Sequence, residues 1–282
     1  MLILPSPFGQ IGFFILGALW GSFLNVCIVR IPHEQSVVFP ASHCPHCQRG
    51  LSWYENIPLF SYLFLRGQCR TCHQKISSRY FWVELLTAGL GLLTYYYLTP
   101  WPLALLYFLL LVCPLVVLSF IDLEHQILPN VITLPGVLVG LGVRQAHLYI
   151  LHITEGPLLN LNKLMLQALV DSCMGVLVGA GTLFLLSVFY QKIRKREGLG
   201  FGDVKLAAML GAFFGWKPVF VIFLVASITG SIVGLIYILF SKKDLKAAIP
   251  FGPFLALGAL FHLYWGQAFL QAYLKFFKNL IH

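Results

Sequence analysis

The sequence predicts an all-α polytopic membrane protein with about eight transmembrane helices and one small loop domain. Hydrophobic residues make up 59% of the 282-residue chain and charged residues only 10%, and the mean hydropathy is +0.82. A soluble domain carries roughly 25% charged residues. Apolar runs that approach the roughly 20 residues needed to span a bilayer recur along the chain. Together these observations exclude the soluble fold classes and place the chain in a lipid bilayer.

Eight apolar segments are the predicted membrane spans. They are 9–29, 81–99, 101–121, 131–151, 165–190, 204–216, 218–240 and 249–270. The fourth has few apolar residues before Arg144, and the sixth is short and bounded by Gly215 and Pro218. A short segment next to its neighbour is compatible with a broken or half-spanning helix.

The distribution of basic residues predicts the orientation. With the N-terminus outside, 14 of the 19 Lys and Arg residues fall in inside loops. These are Arg30, Arg49, Arg66, Arg70, Lys75, Arg79, Lys192, Arg194, Lys195, Arg196, Lys205, Lys242, Lys243 and Lys246. Lys and Arg concentrate in cytoplasmic loops of membrane proteins. The net charge of +9 therefore indicates membrane topology and no nucleic-acid partner.

The polar segments divide the chain into four parts. Residues 1–29 are the first transmembrane helix, which has no preceding Lys or Arg and so lacks the basic region of a cleavable signal peptide. Residues 30–80 form a cytoplasmic loop domain that is too small for a generous core. Residues 81–270 are the transmembrane core, and 271–282 are expected to form an amphipathic tail at the outer interface.

Two Cys-x-x-Cys pairs in the loop domain predict a zinc site. Cys44 and Cys47 are separated from Cys69 and Cys72 by 21 residues, 48–68. Four thiolates match the tetrahedral preference of zinc, and four protein ligands make the metal structural. The spacing is slightly longer than is usual for this motif. A dithiol redox role, or replacement of one sulfur by a nearby histidine, is the alternative; the candidate histidines are His43, His46 and His73.

Acidic residues beside the spans are candidates for chemistry, because ionisable groups near lipid are costly. Asp122 ends the third segment at the inner face, and Asp203 begins the sixth segment at that same face. The two carboxylates must therefore lie at the same depth. Glu84, one turn inside the second segment, is a third candidate, whereas Asp171 falls on the outer side and Glu124 points away from Asp122.

A pair of aspartates at a wet–dry boundary can share a proton and hydrolyse an amide. One carboxylate takes a proton from water, and its protonated partner polarises the carbonyl. Gly200 and Gly202 are expected to adopt conformations closed to other residues and to leave room for a substrate strand beside Asp203. The alternative is that Asp203 is only an N-cap. Lys205 is a further candidate to support the site or to contact headgroups.

The motifs, in this order, resemble the type IV prepilin leader peptidases, which belong to the Gly-x-Gly-Asp class of membrane aspartic proteases. The matching stretches are GSFLNVCIVRIP (21–32), CPHC, LSWYENIPLFSYLFLRGQCR (51–70), CRTC, SRYFWVELLTA (78–88), IDLEHQILPN (121–130), GLGFGDVKLAAMLGAFFGW (198–216) and IPFGPFLALGALF (249–261). The chain departs from the family at Phe81, near Ile121 or Asn130, and at Leu199. None of these positions is one that the chemistry requires.

The resemblance implies a bacterial inner-membrane enzyme in which Asp122 and Asp203 are the catalytic pair. It implies cleavage of the leader of prepilins and of pilin-like secretion subunits (pseudopilins), after a glycine and before an aromatic residue, at the cytoplasmic face. The N-terminus would then be periplasmic. The full-length loop domain implies a second activity, N-methylation of the new amino terminus with S-adenosylmethionine. The sequence itself contains no glycine-rich nucleotide fingerprint.

Two other function classes fit the residues when the resemblance is set aside. A proton-coupled transporter also uses paired membrane acids, but such acids often lie near the bilayer midplane. Asp122 and Asp203 fall at segment ends instead. A zinc-loop scaffold without catalysis would leave the acid pair unexplained. The oligomeric state is not predicted by the sequence.

Overall fold

The structure is a computed structural model that describes residues 6–156, 160–195, 200–241 and 249–281. It is helical throughout these ranges, apart from the loop domain and the connections. Several predicted features lie outside the described residues: the basic residues Arg196, Lys242, Lys243 and Lys246, and the start of the glycine motif at Gly198 and Leu199.

The helices follow the predicted apolar segments. They are α1 (Pro7–Arg30), α2 (Phe60–Phe64), α3 (Arg79–Tyr97), α4 (Trp101–Tyr107), α5 (Cys113–His125), α6 (Asn130–Thr154), α7 (Leu161–Arg194), α8 (Phe201–Phe214), α9 (Trp216–Ser241) and α10 (Gly252–Ile281). A π-helical turn, Phe108–Val112, joins α4 to α5. Each of the eight predicted segments is therefore helical over most of its length.

Within the part of the chain that the structure describes, five helical segments are long and apolar enough to cross a membrane: Pro7–His33, Trp101–His125, Asn130–Thr154, Leu161–Ile193 and Trp216–Phe240. The segment of the fourth predicted span is among them, although its apolar content is modest. Helix α8 has 14 residues, which corresponds to a length of about 21 Å, whereas the hydrocarbon core is about 30 Å thick. The chain is a multi-pass helical membrane protein, and the number of eight spans stays a prediction.

The chain divides into two compact units, with the boundary between Ile121 and Asp122 inside α5. In the first unit, α1 packs mainly against α3. The contact is close because Gly17 and Gly21 of α1 face α3. A Cβ at Gly17 would be 2.6 Å from the Thr87 carbonyl oxygen, and one at Gly21 would be 2.7 Å from Glu84 Cα. The loop domain, 31–78, connects these two helices.

The second unit is built around α8, which packs against α6 and α7, while α9 packs against α10. Eight of the α8 residues from Leu206 to Phe213 are buried, and all are apolar or glycine. This burial explains why so short a helix is so hydrophobic. Residues 271–281 of the predicted tail continue α10, and the position of this tail at the outer interface stays a prediction.

Candidate active site and zinc centre

Four helix ends meet in the second unit and bring the predicted aspartates together. Asp122 lies in the last turn of α5 and Asp203 is the third residue of α8. Asn130 and Gly252 are the first residues of α6 and α10. Asp122 is 5% exposed and Asp203 is 9% exposed. Their carboxylates are close enough to interact electrostatically.

The carboxylate of Asp122 is held by the start of α10. Gly252 donates its backbone N–H to Asp122 Oδ2 over 2.9 Å. The first N–H groups of a helix have no partner within the helix and carry partial positive charge. The position of Asp122 is therefore fixed by a helix that is 130 residues distant in sequence.

The carboxylate of Asp203 is held by its own helix start. It accepts a hydrogen bond from the backbone N–H of Gly200, which is the N-cap residue of α8. The expected alternative, with Asp203 itself as the N-cap, is wrong, because Asp203 occupies the third helical position. An acidic side chain there can bond back to the N-cap N–H, as in one half of a capping box.

The two glycines before Asp203 do not serve through unusual backbone conformations. Gly200 has φ −71° and ψ 145°, a region open to every residue, and Gly202 lies within the helix without positive φ. The expectation that Gly200 and Gly202 adopt backbone conformations closed to other residues was therefore wrong. Gly202 is needed for close packing instead, since a Cβ there would lie 3.0 Å from Leu128 Cβ. Among the described residues, Asp203 Oδ2 at 3.7 Å and Gly202 N at 3.9 Å are the atoms nearest to a Cβ built at Gly200.

Three residues of this site were not identified from the sequence. Leu128 is buried and lies against both Gly202 and Gly252, since a Cβ at Gly252 would be 3.3 Å from Leu128 Cδ2. Asn130 accepts a hydrogen bond at Oδ1 from Lys205 Nζ over 2.7 Å, which joins the starts of α6 and α8. The signal for Gly252 was the Gly-Pro pair that starts a helix in IPFGPF.

The remaining acidic candidates have other surroundings. Asp171 pairs with Arg144, with 3.1 Å between Oδ2 and the guanidinium, and Glu124 is exposed. Glu84 belongs to the first unit. Its Oε2 accepts the Leu59 N–H over 2.8 Å, and Ser22 also bonds to the carboxylate.

The four loop cysteines form a cluster that fits zinc. Their sulfur atoms all lie within 4.8 Å of one another, with 3.8 Å between Cys44 and Cys72 and 3.9 Å between Cys47 and Cys69. Tetrahedral zinc with bonds of about 2.3 Å places its sulfurs about 3.8 Å apart. None of the seven cysteines is in a disulfide, and no histidine joins this cluster among the described residues.

The two halves of the cluster are copies of one knuckle. In the first, Cys44 N–H bonds to Arg49 O and Gln48 N–H to Cys44 O; in the second, Cys69 N–H bonds to Gln74 O and His73 N–H to Cys69 O. The turn residues Gln48 and His73 have φ 57° and 56°. Such knuckles point backbone N–H groups at sulfur.

Backbone N–H groups near the cysteines favour metal binding, and an ion pair stabilises the fold of this loop. The backbone N–H groups of Cys72 and Thr71 lower the pKa of the Cys69 thiol to about 6, which favours the thiolate that binds metal. Nearby, the buried Glu55 accepts from Arg49 over 2.6 Å and from the Ser52 N–H over 2.8 Å. The Arg49 hydrogen bond is the main reason that the pKa of Glu55 is lowered.

Comparison with known proteins identifies the family. Residues 15–98 match the bacterial peptidase A24 N-terminal domain, and residues 109–235 match the type IV leader peptidase family. A prepilin leader peptidase/N-methyltransferase of Myxococcus xanthus is 42% identical over 241 residues, which cover 84% of this chain and 66% of that protein. No solved structure is significantly similar to the chain.

Two further relatives match over nearly their whole length. The prepilin leader peptidase/N-methyltransferase of Stutzerimonas stutzeri is 34% identical, and that of Pseudomonas aeruginosa is 33% identical. In both cases the match covers 93% of this chain and 92% of the relative. The chain therefore belongs to the type IV leader peptidase family.

Proposed function

We propose that the protein is a membrane aspartic endopeptidase that removes the leader of type IV prepilins and then N-methylates the new amino terminus. The meeting of Asp122 and Asp203 at helix ends within one unit carries the proposal for peptide cleavage. The relatives named prepilin leader peptidase/N-methyltransferase support the substrate and the second activity.

The aspartate pair supplies acid and base for amide hydrolysis. The ionised carboxylate takes a proton from a water molecule as the water oxygen attacks the scissile carbonyl carbon. The protonated partner donates its proton to the carbonyl oxygen, which prevents a full negative charge from building up. When the intermediate collapses, the C–N bond breaks and the leaving nitrogen takes a proton from the pair. No metal and no covalent intermediate is required.

The structure suggests how the chain's own residues orient this pair. Gly252 donates to Asp122 Oδ2, so Oδ1 keeps more of its acceptor positions for the reacting water. The Gly200 N–H holds the Asp203 carboxylate. Gly200 is exposed, and we place the approach of an extended substrate segment on this side of Asp203.

The location and the substrates follow from the same proposal. We place the protein in the bacterial inner membrane with its N-terminus in the periplasm, because the predicted inside loops carry most of the basic residues. The aspartate site then faces the cytoplasm. Pseudopilins of secretion systems are further candidate substrates, since they share the leader chemistry of prepilins.

Zinc would be held by Cys44, Cys47, Cys69 and Cys72. With four protein ligands it would have no open position, so it would stabilise the loop domain and not take part in the reaction. S-adenosylmethionine would supply the methyl group for the second activity. We assign that activity to the first unit, because the aspartate pair belongs to the second.

The transporter alternative is not supported by the geometry or the relatives. A proton relay needs acids along a path through the membrane, whereas Asp122 is three residues from the end of α5 and Asp203 is three residues into α8. Asp171, a third acid in the second unit, pairs with Arg144 instead.

Mass spectrometry of a synthetic prepilin tests the proposal. The purified protein is incubated with the substrate, with and without S-adenosylmethionine. Loss of the leader in both samples, with a methyl group added only when the cofactor is present, is the expected result. An intact substrate from well-folded, zinc-loaded protein would refute the peptidase proposal, and cleavage without methylation would refute the second part alone.

A further inference from the structure

The first unit contains a cavity of about 1010 Å³ between the inner end of α1, the start of α3 and the zinc knuckles. Small-molecule sites typically measure about 300–1,000 Å³. All of its lining residues belong to the first unit, whereas the aspartate pair belongs to the second. Its lining combines apolar residues such as Val26 and Val29 with charged ones, which are Glu55, Glu84, Arg30, Lys75 and Arg79. Arg30 already donates to the Ser36 and Pro40 carbonyl oxygens, and Glu55 is paired with Arg49.

Asn25 presents an unpartnered acceptor at this cavity. It lines the cavity, is 1% exposed, and its Oδ1 is buried without a hydrogen-bond partner. Its amide nitrogen donates to Gly21 O over 3.3 Å and to Tyr80 O over 3.1 Å. Because both neighbours are carbonyl oxygens, the amide cannot be turned around. The free oxygen must therefore take its donor from something outside the described protein.

Glu84 adds an acidic side chain to the lining of the same cavity. Asn25 lies one turn after Gly21, and Gly21 packs against the Glu84 backbone. Glu84 is 7% exposed, and its partners are the Leu59 N–H and Ser22. Among the described residues no Lys or Arg pairs with it. A carboxylate has about four acceptor positions, so it can take further donors.

We propose that Asn25 Oδ1 and the Glu84 carboxylate form the amine-binding site of the methyl-transfer reaction. Asn25 Oδ1 and the ionised Glu84 carboxylate are both hydrogen-bond acceptors. Together they carry one negative charge, which suits a primary ammonium or amine. This inference rests on the proposed methyltransferase activity and gives it a location.

Two groups with the chemistry of a primary amine could occupy this site. One is the α-ammonium group of S-adenosylmethionine, and the other is the amino terminus of the cleaved substrate. The cavity has room for the cofactor, and the cofactor's positive charge suits Glu84. The site uses residues of α1 and α3 in addition to the loop domain, so residues 30–80 alone do not complete it.

The test compares full-length Glu84→Gln and Asn25→Leu proteins with Glu34→Gln. The first variant keeps an acceptor for the Leu59 N–H but removes the charge, and Glu34 is an exposed residue outside the cavity. Equilibrium dialysis gives the Kd of S-adenosylmethionine, and methylation of a peptide with a free N-terminal phenylalanine gives its KM. Methylthioadenosine, which lacks the amino-acid group, serves as a control ligand. Zinc content and leader cleavage report on folding.

The two sources give different results. If the site holds the cofactor amine, Glu84→Gln raises the Kd of S-adenosylmethionine about tenfold or more and leaves methylthioadenosine binding unchanged. If it holds the substrate amine, the cofactor Kd is unchanged and the KM of the peptide rises by a similar factor. Asn25→Leu changes the same constant, and if that variant does not fold, Glu84→Gln decides alone.

Unaltered Kd and KM in Glu84→Gln would overturn the inference while leaving the proposed function intact. If the unmodified protein neither binds S-adenosylmethionine nor methylates the peptide, the proposed methyltransferase activity fails instead, and the inference fails with it. Glu34→Gln is expected to match the unmodified protein in every measurement.

Discussion

Gly252 and Asp122 are 130 residues apart in sequence, and the backbone N–H of the first donates to the carboxylate of the second over 2.9 Å. This bond joins the start of α10 to the last turn of α5 in the second unit. It gives Asp122 a fixed orientation, and it explains why glycine stands at the start of α10. A Cβ at Gly252 would lie 2.6 Å from Asp122 Oδ2 and 3.3 Å from Leu128 Cδ2.

Replacing Gly252 with alanine should therefore impair cleavage. The added methyl group must displace the Asp122 carboxylate, and a misplacement of about 1 Å can cost about 100-fold in rate. We expect a loss of kcat of about 10- to 100-fold, with little loss of stability. Cleavage kinetics and a thermal melt of the purified variant measure both.

Gly142→Ala is the matched control for that substitution. Gly142 lies in α6 of the same unit, and apart from its own helix backbone no atom of the described residues lies within 4 Å of a Cβ built there. Alanine in a helix is more favourable than glycine by up to about 1 kcal/mol, so this variant should cleave normally and melt no earlier. Equal activity of the two alanine variants would show that the Gly252 contact does not position Asp122.

Lys205 is expected to act through Asn130. The bond between Lys205 Nζ and Asn130 Oδ1 is 2.7 Å long and exposed, so its loss should cost no more than about 1.5 kcal/mol. We expect Lys205→Ala and Asn130→Ala each to lower cleavage less than about tenfold, since 1.4 kcal/mol corresponds to a factor of ten. The double variant should be no worse than either single one.

The same double-mutant cycle separates the two roles considered for Lys205. Additive losses in the double variant would mean that Lys205 acts on the substrate or on lipid headgroups independently of Asn130. A loss in Lys205→Ala of 100-fold or more, on the scale of general acid–base catalysis, would place its ammonium in the reaction itself.

Removing one zinc ligand should harm methylation more than cleavage. Cys44→Ser breaks the cluster of four sulfurs in the first unit, whereas both aspartates belong to the second. We expect metal analysis to find about one zinc per chain in the unmodified protein and far less in the variant, with methylation lost and cleavage largely kept.

Cys173→Ser is the control for the loss of a thiol, because Cys173 is an exposed residue of α7 outside the cluster. It should retain zinc and both activities. Equal loss of cleavage and methylation in Cys44→Ser, with the membrane part still folded, would contradict the assignment of the two activities to separate units.

Most of the helices, the aspartate pair and the cluster of four cysteines could be predicted from the sequence. Long apolar runs specify helices because lipid leaves no other partner for the backbone, and two Cys-x-x-Cys pairs are specific for a metal. The end of α5 was misplaced by four residues, from 121 to His125, because polar residues mark the membrane edge and not the end of the helix. Asp122 is thus inside the helix.

The contacts that complete the site could not be predicted, because they join residues that are distant in sequence. Nothing in IPFGPF states that Gly252 faces Asp122, and nothing in ILPN places Leu128 against Gly202. The role of Gly202 depends on its packing against Leu128 and not on its backbone angles, and a single sequence does not reveal such a packing contact. The similarity of the two zinc knuckles is visible mainly in their hydrogen bonds, since only the cysteines align clearly.

The central claim is that Asp122 and Asp203 together cleave the leader. The most direct measurement is the rate of leader removal by purified Asp122→Asn and Asp203→Asn proteins, followed by mass spectrometry of a synthetic prepilin. Asparagine preserves the shape of each side chain but cannot exchange a proton, so each variant should lose at least about 100-fold in rate while retaining zinc and methylation of a pre-cleaved peptide. Cleavage at the normal rate by either variant would contradict the account.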